Sequence, residues 1–180
     1  MDMLSFSKDR EPALEPADLN ETVGEVVELM QPRATELGVA LEWHLGENLS
    51  RVLIDPEGIH RAVLNIVTNA IDATEGSPDA KVTVRTEWDA VDATARVIVA
   101  DNGPGIDEAD IPSIFQIFAS TKGSSGTGLG LPVSQKIIRE HGGRIVVQSR
   151  LGQGAAFLIE LPMARGSDSR TNAEGLTMIE

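Results

Sequence analysis

The sequence predicts an α+β fold: a two-layer α/β sandwich in which a mixed, mostly antiparallel sheet of about five strands is covered by three helices. Two observations lead there. Alternating, β-branched segments come in pairs joined by short turns, KVTVRTEW (81–88) with TARVIVAD (94–101) and RIVVQS with AAFLIELP across LGQG (151–154). Three other stretches place apolar residues at helical spacing.

Taken in order, residues 1–18 lack apolar periodicity and contain Pro12 and Pro16, which reads as a linker arriving from an upstream element. Asn20 with Glu21 is the expected cap of a first helix, whose apolar positions are Val23, Val26, Val27, Met30, Ala34 and Leu37. Gly38 ends it. VALEWHL (39–45) alternates as a strand, and RVLID (51–55) follows as a short one. Pro56 suits the first turn of the next helix, expected to run to Thr74. After the loop 75–80 comes the first antiparallel pair. Residues 102–128 are rich in glycine and proline and predict a long loop with a short helix around 112–115; such loops are usually functional. A third helix is expected over 129–141, closed by Gly142 and Gly143, before the terminal hairpin. The polar tail from Ala164 is expected to be disordered, so the folded domain is placed at 19–163.

With 180 residues, 41% of them hydrophobic, the chain is large enough to bury a core. The absence of cysteine excludes disulfides, iron–sulfur clusters and thiolate zinc sites. There is no apolar run of membrane-spanning length and no signal-peptide core near the start, so a cytoplasmic protein is expected. The formal charge of −13 (15 Lys+Arg, 28 Asp+Glu) argues against nucleic-acid binding. An anionic ligand would need local help from a metal ion, backbone N–H groups, a helix N-terminus or a lysine.

Three motifs carry chemistry. In the helix 56–74, Arg61, Asn65, Asn69 and Asp72 lie four, four and three apart and share one face; Ile59, Val63, Ile66, Val67, Ala70 and Ile71 fill most of the rest. A carboxamide oxygen is a hard ligand suited to Mg²⁺, although a solvated helix face gives the same pattern. DNGPGI (101–106) follows a strand. Its Asp101 can accept from an exocyclic amine, and Gly103 and Gly105 permit close approach to a flat ring; a simple D-N-G turn is the alternative. GTGLGL (126–131) opens a helix, and Gly126, Gly128 and Gly130 can turn N–H groups toward phosphates; otherwise they form a hinge. Neither a P-loop nor a dinucleotide fingerprint fits this spacing. Lys122 is placed to reach a phosphate or is a surface lysine, and Phe115 and Phe118 read as loop anchors or as ordinary core.

The ordered set of the polar helix (60–73), DNGPGI, IFQIFASTK (114–122) and GTGLGL resembles the ATP-binding catalytic domain of two-component sensor histidine kinases. This belongs to the superfamily that also holds Hsp90, the type II topoisomerases and MutL, with the Bergerat ATP-binding fold. The TK-x₃-GTGLGL segment is most similar to the nitrogen-regulation and oxygen-sensing kinases, and the resemblance covers residues 19–162. It implies Asn69 as the Mg²⁺ ligand, Asn65 lining the phosphates, Asp101 binding adenine with Gly103 and Gly105 beneath it, and Lys122 with Gly126, Gly128 and Gly130 forming a lid. Asp72, Ile106, Phe118, Thr121, Thr127, Leu129 and Leu131 complete the implied nucleotide-contacting set. Asn65 stands where hydrolytic relatives carry a glutamate base, so the resemblance implies that ATP is kept for transfer.

Two positions depart from the pattern: Ala155 replaces a usual Ser or Thr beside adenine, and Ser120 a usual threonine. His44, His60 and His141 all lack the acidic neighbour of a phosphoacceptor histidine, whereas MDMLSFSK resembles the last turn of a dimerisation hairpin. The expectation is therefore a monomeric catalytic-domain fragment that phosphorylates a histidine on a separate dimerisation domain, with a response regulator downstream and no contact with nucleic acid or membrane. The alternatives are an anti-sigma-type serine kinase and a nucleotide-binding regulatory module with little catalysis.

Overall fold

The computed structural model describes residues 11–47, 49, 51–116 and 130–162. Five strands form the main sheet: β2 (Ala40–His44), β4 (Lys81–Asp89), β5 (Thr94–Asp101), β6 (Arg144–Ser149) and β7 (Ala155–Pro162), in the order β2-β4-β5-β7-β6. The β2–β4 pair is parallel and the other three are antiparallel. Three helices, α1 (Leu19–Glu36), α2 (Pro56–Thr74) and α3 (Gly130–Glu140), pack on one face, as the sequence predicts. The core is a single cluster. Val82, Val84, Ala95, Val97, Val99, Phe157 and Ile159 of the sheet meet Val23, Val27, Ile59, Val63, Ile66 and Ile71 of α1 and α2.

The start of the fold differs from expectation. Residues 15–17, read as linker, form a short strand β1 (Glu15–Ala17) antiparallel to β3 (Val52–Ile54), so RVLID builds a separate two-stranded sheet. The cap of α1 is Asp18, whose Oδ1 accepts from the N–H groups of Asn20 and Glu21 at 2.8 and 3.3 Å. Asn20 instead reaches across the fold: its Nδ2 donates to the Gly46 carbonyl and its Oδ1 accepts from the buried Thr86 hydroxyl. Pro32 lies inside α1 without breaking it. It and Glu28, whose carbonyl loses its helical donor, are both exposed, where water can replace the lost bond. Gly38, at φ +69°, takes the left-handed conformation that ends the helix. The short helix of the following loop is a 3₁₀ turn at Ile111–Ser113.

No described helix packs on the other face of the sheet. A row crosses four strands there, Glu87–Arg96–Glu160–Arg144, with each neighbour in register and alternating in charge. Arg96 pairs with Glu160 at 3.2 Å and Asp89 at 2.9 Å, and the Arg144 guanidinium hydrogen-bonds Glu160. The Arg144 hydrogen bond, aided by Arg96 and opposed by burial, holds the Glu160 carboxyl below the usual carboxylate range.

Candidate functional site

The site lies at the edge of the sheet where β5 ends and β4 and β7 begin: Asp101 pairs with Val82 on one side and Ala155 on the other. The DNGPGI loop leaves from this point and is fixed on both sides. Asn102 accepts from the Lys81 N–H and donates to the Asp79 carbonyl, both at 2.8 Å, clamping the loop to the start of β4. On the other side the Gly152 N–H donates to the Pro104 carbonyl at 2.7 Å. The Ile106 N–H donates to Ser149 Oγ at 2.7 Å, and that hydroxyl donates to the Gly154 carbonyl. Ile106 is half-buried against the core.

This packing explains both glycines of the loop. A Cβ on Gly103 would lie 2.9 Å from the Ala73 carbonyl at the end of α2, and one on Gly105, at φ +74°, would run into the Arg150 backbone. Both positions are thus demanded by the chain's own backbone. Asp101 Oδ1 accepts from the Gly103 N–H at 2.9 Å and, more weakly, from the Ala155 N–H at 3.4 Å. Position 155, where a hydroxyl was expected, therefore reaches Asp101 through its main chain.

On α2, Asn65 and Asn69 are half-buried one turn apart. Asn69 makes no hydrogen bond among the described residues. Asn65 Nδ2 donates to the Gly130 carbonyl at 3.1 Å and to Ser134 Oγ at 3.2 Å, tying α2 to the first turn of α3. Asp72, grouped with the two asparagines by sequence, instead pairs with Arg33 of α1 at 2.9 Å. The stripe therefore divides: its end serves helix packing. At the far end of the same helix pair, His141 joins α3 to α2. Its Nε2 accepts from the Asp55 N–H at 3.0 Å and its Nδ1 donates to the Ile137 carbonyl at 2.7 Å. The ring thus meets a last-turn carbonyl and also braces the cap of α2, because Asp55 accepts from the Gly58 N–H there.

Gly130 and Leu131 open α3, with Leu131 packed against the core. Phe115 is also half-buried there, which fits an anchor and ordinary core packing alike. Phe118, Thr121, Lys122, Gly126, Thr127, Gly128 and Leu129 lie outside the described residues. Two cavities lie away from the site. One, of about 510 Å³, is lined by Phe115 and the outer face of α3; the other, of about 320 Å³, lies beside β1 and the start of α1. No cluster of three or more His, Cys, Asp or Glu side chains among the described residues could hold a metal ion. Among the described residues, the carboxamide oxygens of Asn65 and Asn69 accept no hydrogen bond; they are hard, neutral donors that fit Mg²⁺ only with other ligands sharing its shell.

Residues 54–165 match the model of the histidine kinase-, DNA gyrase B- and HSP90-like ATPases. The chain belongs to that family. The histidine-protein kinase AtoS of Escherichia coli K12 is 37% identical to this ATPase domain over 161 residues, 89% of this chain and 26% of that protein. The chain thus spans about a quarter of this curated relative. Among solved structures, full-length ShkA in complex with AMPPNP superposes at a TM-score of 0.77 with 34% identity, covering 86% of this chain and 32% of that one. The histidine kinase ThkA, in complex with the response regulator TrrA, gives 0.73 with 30% identity, covering 89% and 45%. The neighbours' names agree with the resemblance read from the four motifs.

Ser134, Asn102 and Ser149 were not singled out by sequence. Ser134 alone carried a signal: it falls midway between Gly130 and Ile138 at four-residue spacing, a polar residue on the buried face of an amphipathic helix.

Proposed function

We propose that this domain binds ATP with Mg²⁺ between α2, the DNGPGI loop and the 117–129 segment, and passes the γ-phosphoryl group to a histidine of a separate dimerisation domain. The observation that carries the reading is the placement of the Asp101 carboxylate and the Asn69 carboxamide on neighbouring elements, α2 and the Asp101 loop, which touch through Ala73 and Gly103. This is supported by the family match across the same residues. Asp101 would accept from the adenine amine, held in place by the Gly103 N–H. Asn69 would hold the metal ion through its oxygen, and Lys122 with the glycines of GTGLGL would close over the phosphates. The metal ion supplies charge neutralisation on the phosphates when bound. Asn65 is neutral and cannot take a proton from water, which favours transfer over hydrolysis.

Transfer moves the γ-phosphorus from the ADP oxygen to an imidazole nitrogen, leaving ADP. None of the three histidines of this sequence fits the acceptor role: His60 lies on α2, His141 is committed to Asp55 and Ile137, and His44 ends β2. A response regulator is the proposed downstream partner, as the ThkA–TrrA complex suggests. A cytoplasmic setting follows from the proposed substrate. Among the described residues no helix is long and apolar enough to cross a membrane.

Calorimetric titration tests the site directly. ATP with Mg²⁺ should bind one-to-one, and Asn69→Ala or Asp101→Asn should each weaken binding by about tenfold to a hundredfold, the cost of a lost hydrogen bond or ligand to a charged or metal-bound partner. Absence of binding by the unaltered chain would sink the reading. Phosphotransfer to an added histidine-bearing dimerisation domain then separates a kinase from a non-catalytic nucleotide sensor.

A further inference from the structure

The hydrogen bonds of Asn65 determine what kind of ligand it can meet. A carboxamide donates only through its nitrogen, and Asn65 Nδ2 is turned to two acceptors of α3, the Gly130 carbonyl and Ser134 Oγ, which lie 3.0 Å from each other. Ser134 is fully buried, and its single hydroxyl proton is turned to the Ala62 and Gly130 carbonyls at 3.1 and 3.0 Å. Its oxygen is therefore available to Asn65 only as an acceptor. Rotating the Asn65 amide by half a turn would press its oxygen against the Gly130 carbonyl, so one orientation is selected. In that orientation Oδ1 makes no hydrogen bond among the described residues, one turn from Asn69 on the same helix face.

We infer that Ser134 is a positioning residue, which turns the donor side of Asn65 toward α3 and so leaves its oxygen as the group presented to the site. The inference rests on the nucleotide reading above and changes its detail. An acceptor oxygen repels phosphate oxygens and attracts the water shell of a divalent cation, so in this orientation Asn65 would support the metal and leave direct phosphate contact to other groups. Asn69 and Asn65 would then both offer oxygens to the cation, whose charge would offset that of the phosphates.

Two readouts on the intact chain test this. The side-chain NH₂ of Asn65, followed by ¹⁵N NMR without ligand, should exchange slowly with solvent in the parent chain and fast in Ser134→Ala. Ser134→Ala should also lower ATP affinity with Mg²⁺ by about tenfold, as loss of an orienting partner does at metal sites, while changing Mg²⁺-free affinity by less than about twofold, a shift small on the scale of one hydrogen bond. Ser134→Cys, which keeps the shape and weakens the hydrogen bonds, should fall between the two. Equal losses with and without Mg²⁺, or an Asn65 amide that exchanges freely in the parent, would overturn the positioning role while leaving nucleotide binding intact. A parent chain that binds no ATP would remove the nucleotide reading itself, and this inference with it.

Discussion

At Asp101 two backbone N–H groups converge on one carboxylate oxygen. An asparagine oxygen accepts the same two bonds, so Asp101→Asn should change folding stability by less than about 1 kcal/mol, the net worth of one hydrogen bond, while its effect on ATP is large. Chemical denaturation beside the calorimetry would separate the two. His141 behaves in the opposite way. His141→Ala leaves the Asp55 N–H without its side-chain acceptor and should cost about 1–3 kcal/mol in denaturant unfolding. Asp101, Asn65 and Asn69 were legible because each sits inside a local motif. For Ser134 only its burial was legible, from its place on the helix face, and not its partners Asn65 and Ala62, which are 69 and 72 positions away. A hydroxyl's partner across that separation leaves no mark on the residues beside it.

Among the elements, periodicity located all three helices and the five strands of the main sheet, most plainly where one regular face is buried, as in β4, β7 and α2. It failed for β1, three residues with too little length to show a period, and so could not foresee that β3 pairs outside the main sheet. Capping failed at α1 for a related reason: Asp18 and Asn20 are both good caps, and the choice was made by Thr86 and Gly46 drawing Asn20 away. Two left-handed glycines make a contrast at this scale. Gly38→Ala adds a methyl group to open space, whereas Gly105→Ala drives it into the Arg150 backbone. The first should cost about 1 kcal/mol from backbone strain alone, the second clearly more, with the DNGPGI loop displaced; thermal midpoints of the two variants would rank them.

The depressed Glu160 carboxyl has a consequence for the whole molecule's acid response. Its folded pKa lies below the unfolded value of about 4.3, so its contribution is complete above that value and is lost as the pH falls through the folded one. Asp89, held down by the Asp92 and Val91 N–H groups, titrates in the same direction. Stability should therefore decline below about pH 5, and Glu160→Gln should remove part of that slope in pH-dependent denaturation. Ligand linkage acts at the same scale. ATP with Mg²⁺ at a hundred times its dissociation constant should add about 2.7 kcal/mol, whereas Mg²⁺ alone should shift the thermal midpoint little, given the absence of a carboxylate cage among the described residues.

The row Glu87–Arg96–Glu160–Arg144 sums to zero, although the chain carries a net −13. Ionic strength therefore pulls the protein two ways. Salt screens the attractions along the row, which loosens the sheet, and it screens the repulsion among the surplus carboxylates, which tightens the whole. The balance of the two makes the folded state a poor reporter of salt, and cutting the row at Glu160 should turn that indifference into a steady gain in melting temperature as sodium chloride is added.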